Sequence, residues 1–266
     1  MSHAVTADAP PACVGDSGRR NNGGTFERHT LSEDVTDIGI IGSGQVAQTL
    51  GGKLLELGHG VMVSSRDITA AKDRGGRGGI PSAGELAAAQ RALGRAAAAG
   101  SFADAAAFGE LIINATVGEH SLDALQSAGT AHLHGKILVD VANPLDFSRG
   151  MPPTLLFCNT ESLGERIQAA FPGASVVKSL NTVAAQVMTD PGQLTGATTM
   201  FVSGNDQKAK DWIQREPLEH WFGWEQVLDL GDITAARGQE MWLPLWLRVM
   251  GAAGTAAFNL RIVAST

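Results

Sequence analysis

Gly42-Ser43-Gly44-Gln45-Val46-Ala47 is the stretch that most restricts what this chain can fold into. It has the GxGxx(G/A) spacing and directly follows the apolar run Ile38-Gly39-Ile40-Ile41. A parallel strand covered on both faces reads as such a run. Downstream, Val46, Leu50, Leu54 and Leu57 recur at helical spacing, Gly58 stops the helix, and Val61-Met62-Val63 reads as a second strand. Strand, turn, helix and strand within about thirty residues form a βαβ unit. In that setting Gly42 permits a tight turn, Gly44 lets the backbone approach a pyrophosphate, and Ala47 keeps the helix close to the strand. The helix N-terminus offers free N–H groups and a partial positive charge to phosphates. Away from a strand and a helix the same string is an ordinary glycine turn, so the flanking elements carry the inference. Gly42, Ser43, Gly44, Gln45 and Val46 are therefore the candidate phosphate-binding residues.

Further strands are expected at Leu111–Ala115, Ile137–Val141 and Ala174–Val177, with two more at Thr198–Val202 and Gln226–Leu228. Helices are expected near Ala83–Ala98, Ser101–Phe108, Ser162–Phe171 and Thr234–Phe258, with room for a short strand between the first two. Alternating strands and helices predict an α/β fold, a Rossmann-type doubly wound and mostly parallel sheet with a C-terminal sheet extension and helices. The expected division is a disordered tail over 1–34, an NADP-binding domain over 35–182, and a smaller C-terminal α/β region over 183–266. The tail is rich in Gly, Ser, Asn, Asp and Pro. Its Arg19-Arg20 pair is followed by Asn21-Asn22-Gly23-Gly24, where an export signal needs an apolar stretch. Glycine density makes Arg74–Gly79 a loop.

The tip of the second strand decides between cofactors. An NAD site needs an acid there to hold the ribose 2′-hydroxyl. This chain reads Ser64-Ser65-Arg66, with Asp67 the first acid. Hydroxyls and a guanidinium donate to a 2′-phosphate, which a carboxylate would repel, so Ser65 and Arg66 point to NADP(H); otherwise Arg66 is a solvated surface charge. Ligands of open α/β sheets bind beyond the carboxyl ends of the strands. That places Thr116 and Val117 after one strand, and Asn143, biased to an extended backbone by Pro144, after the next. Asn143 either aims its amide at a nicotinamide or is a turn residue. Asn181 and Thr182, after a later strand, either face a ligand or cap the next helix.

Composition removes several classes. There is no tyrosine, so the Tyr-x-x-x-Lys chemistry of short-chain alcohol dehydrogenases is excluded. The balance of 20 basic and 27 acidic side chains argues against a nucleic-acid partner. Cys13 and Cys158 form no CxxC pair, which indicates neither a disulfide framework nor a zinc site and fits the cytoplasm. His132 and His134 have no third metal ligand nearby. Met241–Leu260 is largely apolar, but Pro244, Arg248 and Asn259 favour a helix packed on the sheet edge or on a twofold partner over a membrane span.

The glycine turn, Ser65-Arg66-Asp67, Asn143-Pro144-Leu145, Val177-Lys178-Ser179-Leu180-Asn181-Thr182, Ala236-Arg237 and the tryptophan-rich last helix together resemble the NADPH-dependent reductases of the deazaflavin coenzyme F420. The resemblance spans most of Thr36–Ile262. It implies NADP(H) on the Rossmann half, a deazaflavin stacked over the nicotinamide as the small-molecule hydride acceptor, and a homodimer. Relatives often carry proline where Val117 stands, before a pair like Glu119-His120, and lack the tail and the long 74–79 loop. These departures leave the cofactor intact and the second substrate open. Similar NADP domains occur in ferric reductases and in pyrroline-carboxylate reductases, but the long helical dimerisation domain of the latter is hard to fit after Thr182. Hydride transfer between ring carbons needs no side-chain acid, so no catalytic residue is expected. Two alternatives stay open: an NADPH-dependent carbonyl reductase with His120 as general acid, and a non-enzymatic NADPH-binding protein.

Overall fold

A computed structural model describes residues 35–73, 82–92 and 99–265. The chain divides into two units, Met1–Leu31 and Ser32–Thr266, and the described residues all lie in the second. The tail expected over 1–34 and the glycine loop Arg74–Gly79 lie outside the described residues.

The chain runs β1 (Asp37–Ile41), α1 (Gln45–Glu56), β2 (Gly60–Ser64), α2 (Ile68–Asp73), α3 (Ala83–Ala92), β3 (Ala99–Gly100), α4 (Phe102–Phe108) and β4 (Leu111–Asn114). It continues with α5 (Ser121–Ala128), α6 (Thr130–Leu133), β5 (Ile137–Asp140), a small β6–β7 hairpin (Leu145–Asp146, Thr154–Leu155), α7 (Leu163–Ala170) and β8 (Ser175–Ser179). The remainder is α8 (Ala185–Thr189), β9 (Thr199–Gly204), α9 (Gln207–Ile213), β10 (Gln226–Asp229) and α10 (Ala236–Ala253).

Eight strands form one sheet in the order β10-β9-β8-β5-β4-β1-β2-β3. From β1 the chain winds outward through β2 and β3 on one side and through β4, β5 and β8 on the other, all parallel. The reversal between β1 and β4 opens a crevice at their carboxyl ends, where ligands of such sheets bind. Beyond β8 the pattern changes: β9 pairs antiparallel to β8, and β10 pairs parallel to β9. That is the C-terminal sheet extension.

Alternation along β1 divides the core. Ile38 and Ile40 face one layer with Leu50, Leu54, Val61 and Val63, while Ile41 faces the other with Met62, Ile112, Leu138 and Val176. Gly39 points toward the second layer, where a Cβ would collide with the Ala105 carbonyl, so α4 lies directly on the strand. The last helix is shorter than its apolar pattern. Gly254, at φ +66°, ends α10 in the left-handed conformation after Ala253. The chain then passes beside β9, with Thr199 N–H donating to the Leu260 carbonyl (2.9 Å) and Asn259 Nδ2 to the Thr199 carbonyl (3.0 Å). Among the described residues no helix is long and apolar enough to cross a membrane.

Candidate functional site

A cavity of about 610 Å³ opens at the β1–β4 reversal, within the size range of small-molecule and cofactor sites. Its floor is the turn from β1 into α1. Gly42 adopts φ +130°, a region that disfavours side chains, and a Cβ there would meet the Ala115 carbonyl oxygen at 2.6 Å. Gly44 has open space around its missing Cβ. As N-cap of α1 it lends no side chain to the helix end, and the first turn carries no acid. The opening N–H groups are therefore left to an anionic ligand. Ala47 is fully buried, as close contact between α1 and the sheet requires. Gln45 and Val46 begin the helix but are not among the residues lining the cavity.

The end of β2 supplies a second wall. The Ser64 hydroxyl is buried and donates to the Ile40 carbonyl at 2.7 Å, so its proton is unavailable to a phosphate. Ser65 and exposed Arg66 remain as donors. Asp67 also lines the cavity, but its Oδ1 accepts from Ala70 N–H (2.9 Å) in the first turn of α2. Opposite stand Thr116, Val117 and His120, and Phe102, Asp123 and Ser127 also line the cavity. Glycine shapes this wall too: a Cβ on Gly118 would run into the Asn143 carbonyl.

Behind the wall lies a polar network that the apolar strand patterns do not announce. Lys178 Nζ, fully buried, sits 2.8 Å from Asp140 Oδ2 and 2.9 Å from Glu240 Oε1, and donates to the Ala142 carbonyl. Burial works against the lysine charge, but the two carboxylates outweigh it and hold Lys178 above the usual lysine value. Glu240, on α10, also accepts from Leu163 and Gly164 N–H (2.9 and 3.1 Å), capping α7. On the cavity side Asp140 Oδ1 accepts from Asn114 Nδ2 at 2.8 Å, and Asn114 Oδ1 accepts from the Thr116 hydroxyl at 2.7 Å. Every buried charge here is paired and hydrogen-bonded, the condition on which burial is tolerated.

At the ends of β5 and β8, Asn143 and Asn181 hold each other. Asn143 Nδ2 donates to the Asn181 carbonyl (2.9 Å), and Asn181 Nδ2 donates to Asn143 Oδ1 (3.0 Å). Asn143 thus joins two loops and is not among the residues lining the cavity. Leu180 before them is left-handed at φ +63°, a costly conformation for leucine. Asn181 Oδ1 and Thr182 Oγ1 are buried without partners, while the Thr182 carbonyl accepts from Trp242 Nε1 of α10 at 3.0 Å. No helix begins at Thr182: α8 is capped by Ala184.

The chain is similar to several known proteins. Residues 37–144 match the family described as NADP oxidoreductase, coenzyme F420-dependent. A solved structure from Arthrobacter sp. FB24, provisionally described as an F420-dependent NADP reductase, is 47% identical with a TM-score of 0.77, covering 86% of this chain and 100% of that one. A Sinorhizobium meliloti protein, SMa0349, shares the fold at 24% identity and a TM-score of 0.53, over 76% of this chain and 88% of its own. The Rattus norvegicus metalloreductase STEAP3 is 27% identical over 217 residues, which is 82% of this chain and 38% of that protein. The chain therefore spans well under half the length of that curated relative. With this identity over the whole of the Arthrobacter chain, the protein belongs to this family of NADP oxidoreductases, enzymes that use NADP(H).

Proposed function

We propose that the protein passes hydride between NADP(H) seated in the β1–β4 cavity and a deazaflavin- or flavin-like acceptor. One observation carries the reading: a single cavity joins the glycine turn to Ser65 and Arg66. Gly42, Ser43 and Gly44 with the first N–H groups of α1 would hold the diphosphate. Ser65 and Arg66 would hold the 2′-phosphate, while Thr116 and Val117 flank the sugars. When bound, the nicotinamide supplies or takes the hydride at a ring carbon, so the protein's part is orientation and exclusion of water. The name of the Arthrobacter relative supports a deazaflavin as the second substrate. Residues 35–182 then serve the cofactor, and 183–266 the acceptor and a twofold partner through α10.

His120 lines the same cavity, exposed, and favours carbonyl reduction with an imidazole acid as a second reading. One assay separates the two: purified protein with NADPH and each acceptor in turn, followed at the nicotinamide absorbance band. The deazaflavin reading expects oxidation with a deazaflavin or flavin that persists in His120→Ala. Turnover restricted to aldehydes or keto acids and abolished in His120→Ala would refute it, and tight NADPH binding with no turnover on any acceptor would reduce the protein to a binding module.

A further inference from the structure

The polar network behind the cavity wall has a direction, and that direction decides what the wall presents to a ligand. Asp140 accepts from Asn114 Nδ2 (2.8 Å) and Ala142 N–H (3.2 Å) through Oδ1, and from Lys178 Nζ (2.8 Å) through Oδ2. A carboxylate facing three donors acts only as an acceptor. The Asn114 amide must then turn its nitrogen to Asp140, since the opposite flip would set two oxygens against each other. Its Oδ1 faces the other way and takes the Thr116 hydroxyl proton at 2.7 Å. The second Asn114 N–H goes to Ser121 Oγ at 3.1 Å. Between Ser121 and Thr116 the oxygens are 2.7 Å apart, and either could donate on distance alone. The Thr116 proton already lies on Asn114, so Ser121 is the donor. Thr116 is left with one free lone pair and no proton. It lines the cavity beside the glycine turn, its N–H nitrogen 3.3 Å from where a Gly42 Cβ would stand.

We propose that Asp140 is a positioning residue that acts through Asn114 to fix Thr116 as a hydrogen-bond acceptor on the cavity wall, which selects a sugar hydroxyl of the dinucleotide and turns phosphate oxygens away. Phosphates are thereby confined to the N–H groups of α1 and the Ser65–Arg66 wall, and the sugar is set in register between them. Lys178 serves the same end by pairing with Asp140 at 2.8 Å and so fixing its carboxylate, and Glu240 holds Lys178 from the other side at 2.9 Å. The proposal rests on the reading that NADP(H) occupies this cavity.

Calorimetric titration of the full chain with NADP⁺ and with 2′,5′-ADP tests it. Thr116→Val removes the acceptor and is expected to weaken NADP⁺ about five- to tenfold, the scale of one neutral hydrogen bond; Thr116→Ser stays near wild type. Asp140→Asn lets the Asn114 amide reverse and brings a similar loss by itself, but no further loss in a Thr116→Val background, because both changes remove one interaction. Asn114→Leu supplies the same cycle if Asp140→Asn fails to fold. A loss shared by 2′,5′-ADP assigns the donor to the adenosine ribose, and a loss confined to NADP⁺ assigns it to the nicotinamide ribose. Unchanged NADP⁺ affinity in Thr116→Val, or losses that multiply in the double variant as general structural damage would give, overturns the proposal alone. A wild type that binds neither ligand overturns the cofactor seat and the proposal with it.

Discussion

Arg66 stands exposed at the rim of the cavity, with Ser65 beside it and the Ser64 hydroxyl turned away to the Ile40 carbonyl. Of the three side chains Ser64, Ser65 and Arg66, the last two therefore remain to donate to a 2′-phosphate. A hydrogen bond to a charged group contributes about 1.5–3 kcal/mol, which converts to roughly ten- to a hundredfold in affinity. Arg66→Ala is expected to raise the NADPH dissociation constant on that order while that of NADH hardly moves. Equal losses for the two cofactors in parallel titrations would contradict the assignment. The glycine turn at Gly42 and Gly44 and the place of Arg66 just past the end of β2 were legible in the sequence, because both are local features of the chain. Asn114, Asp140 and Lys178 were not, since the hydrogen bonds that define them join residues 26 and 38 positions apart. In the sequence Asn114 and Asp140 are merely polar ends of apolar runs.

At the scale of elements, strands and helices followed apolar periodicity, and the departures lie at one helix end and in pairings between distant segments. Gly254 cuts α10 short of its pattern, and the antiparallel entry of β9 leaves no mark in its composition. The contact between α7 and α10 is another such case. Arg237 clamps both Glu165 oxygens, Nε to Oε2 at 2.8 Å and Nη2 to Oε1 at 2.5 Å, a two-pronged pair across 72 residues. Hydrogen bonding from Arg237 is the chief reason the Glu165 carboxyl titrates below its ordinary value of 4.5; desolvation opposes it, and Ser162 adds to it. A carboxyl held low contributes stability above its unfolded pKa, and that contribution disappears as pH falls through the folded value. Removing the clamp with Arg237→Met should lower the melting temperature near neutrality, with the gap to wild type closing below about pH 4. Melting curves across that range check it. A gap that stays constant with pH would mean that the Arg237–Glu165 pair adds nothing to the docking of α10 on α7.

For the whole molecule, helices cover both faces of the parallel sheet, and one group of exposed apolar side chains lies on and just beyond the last helix. Met241 and Leu245 lie one turn apart on the outer side of α10, Leu245 55% exposed, and Ile262 and Val263 follow beyond the helix end. Trp246 on the same helix stacks on Phe258 and buries its Nε1 without a partner. Apolar surface of this kind marks an interface. Among the described residues no helix, α10 included, is long and apolar enough to cross a membrane. A second copy related by a twofold axis meets the requirement with a single self-complementary patch, which is why we propose a homodimer built on α10. Placing a charge at its centre should break it. Leu245→Glu would desolvate a carboxylate against its own symmetry mate, so light scattering should report the monomer mass where wild type gives twice that value. NADP⁺ affinity should survive, because Leu245 is not among the residues lining the cofactor cavity. A wild type that already runs as a monomer, or a variant that stays dimeric, would remove α10 as the interface and leave its exposed face without that role.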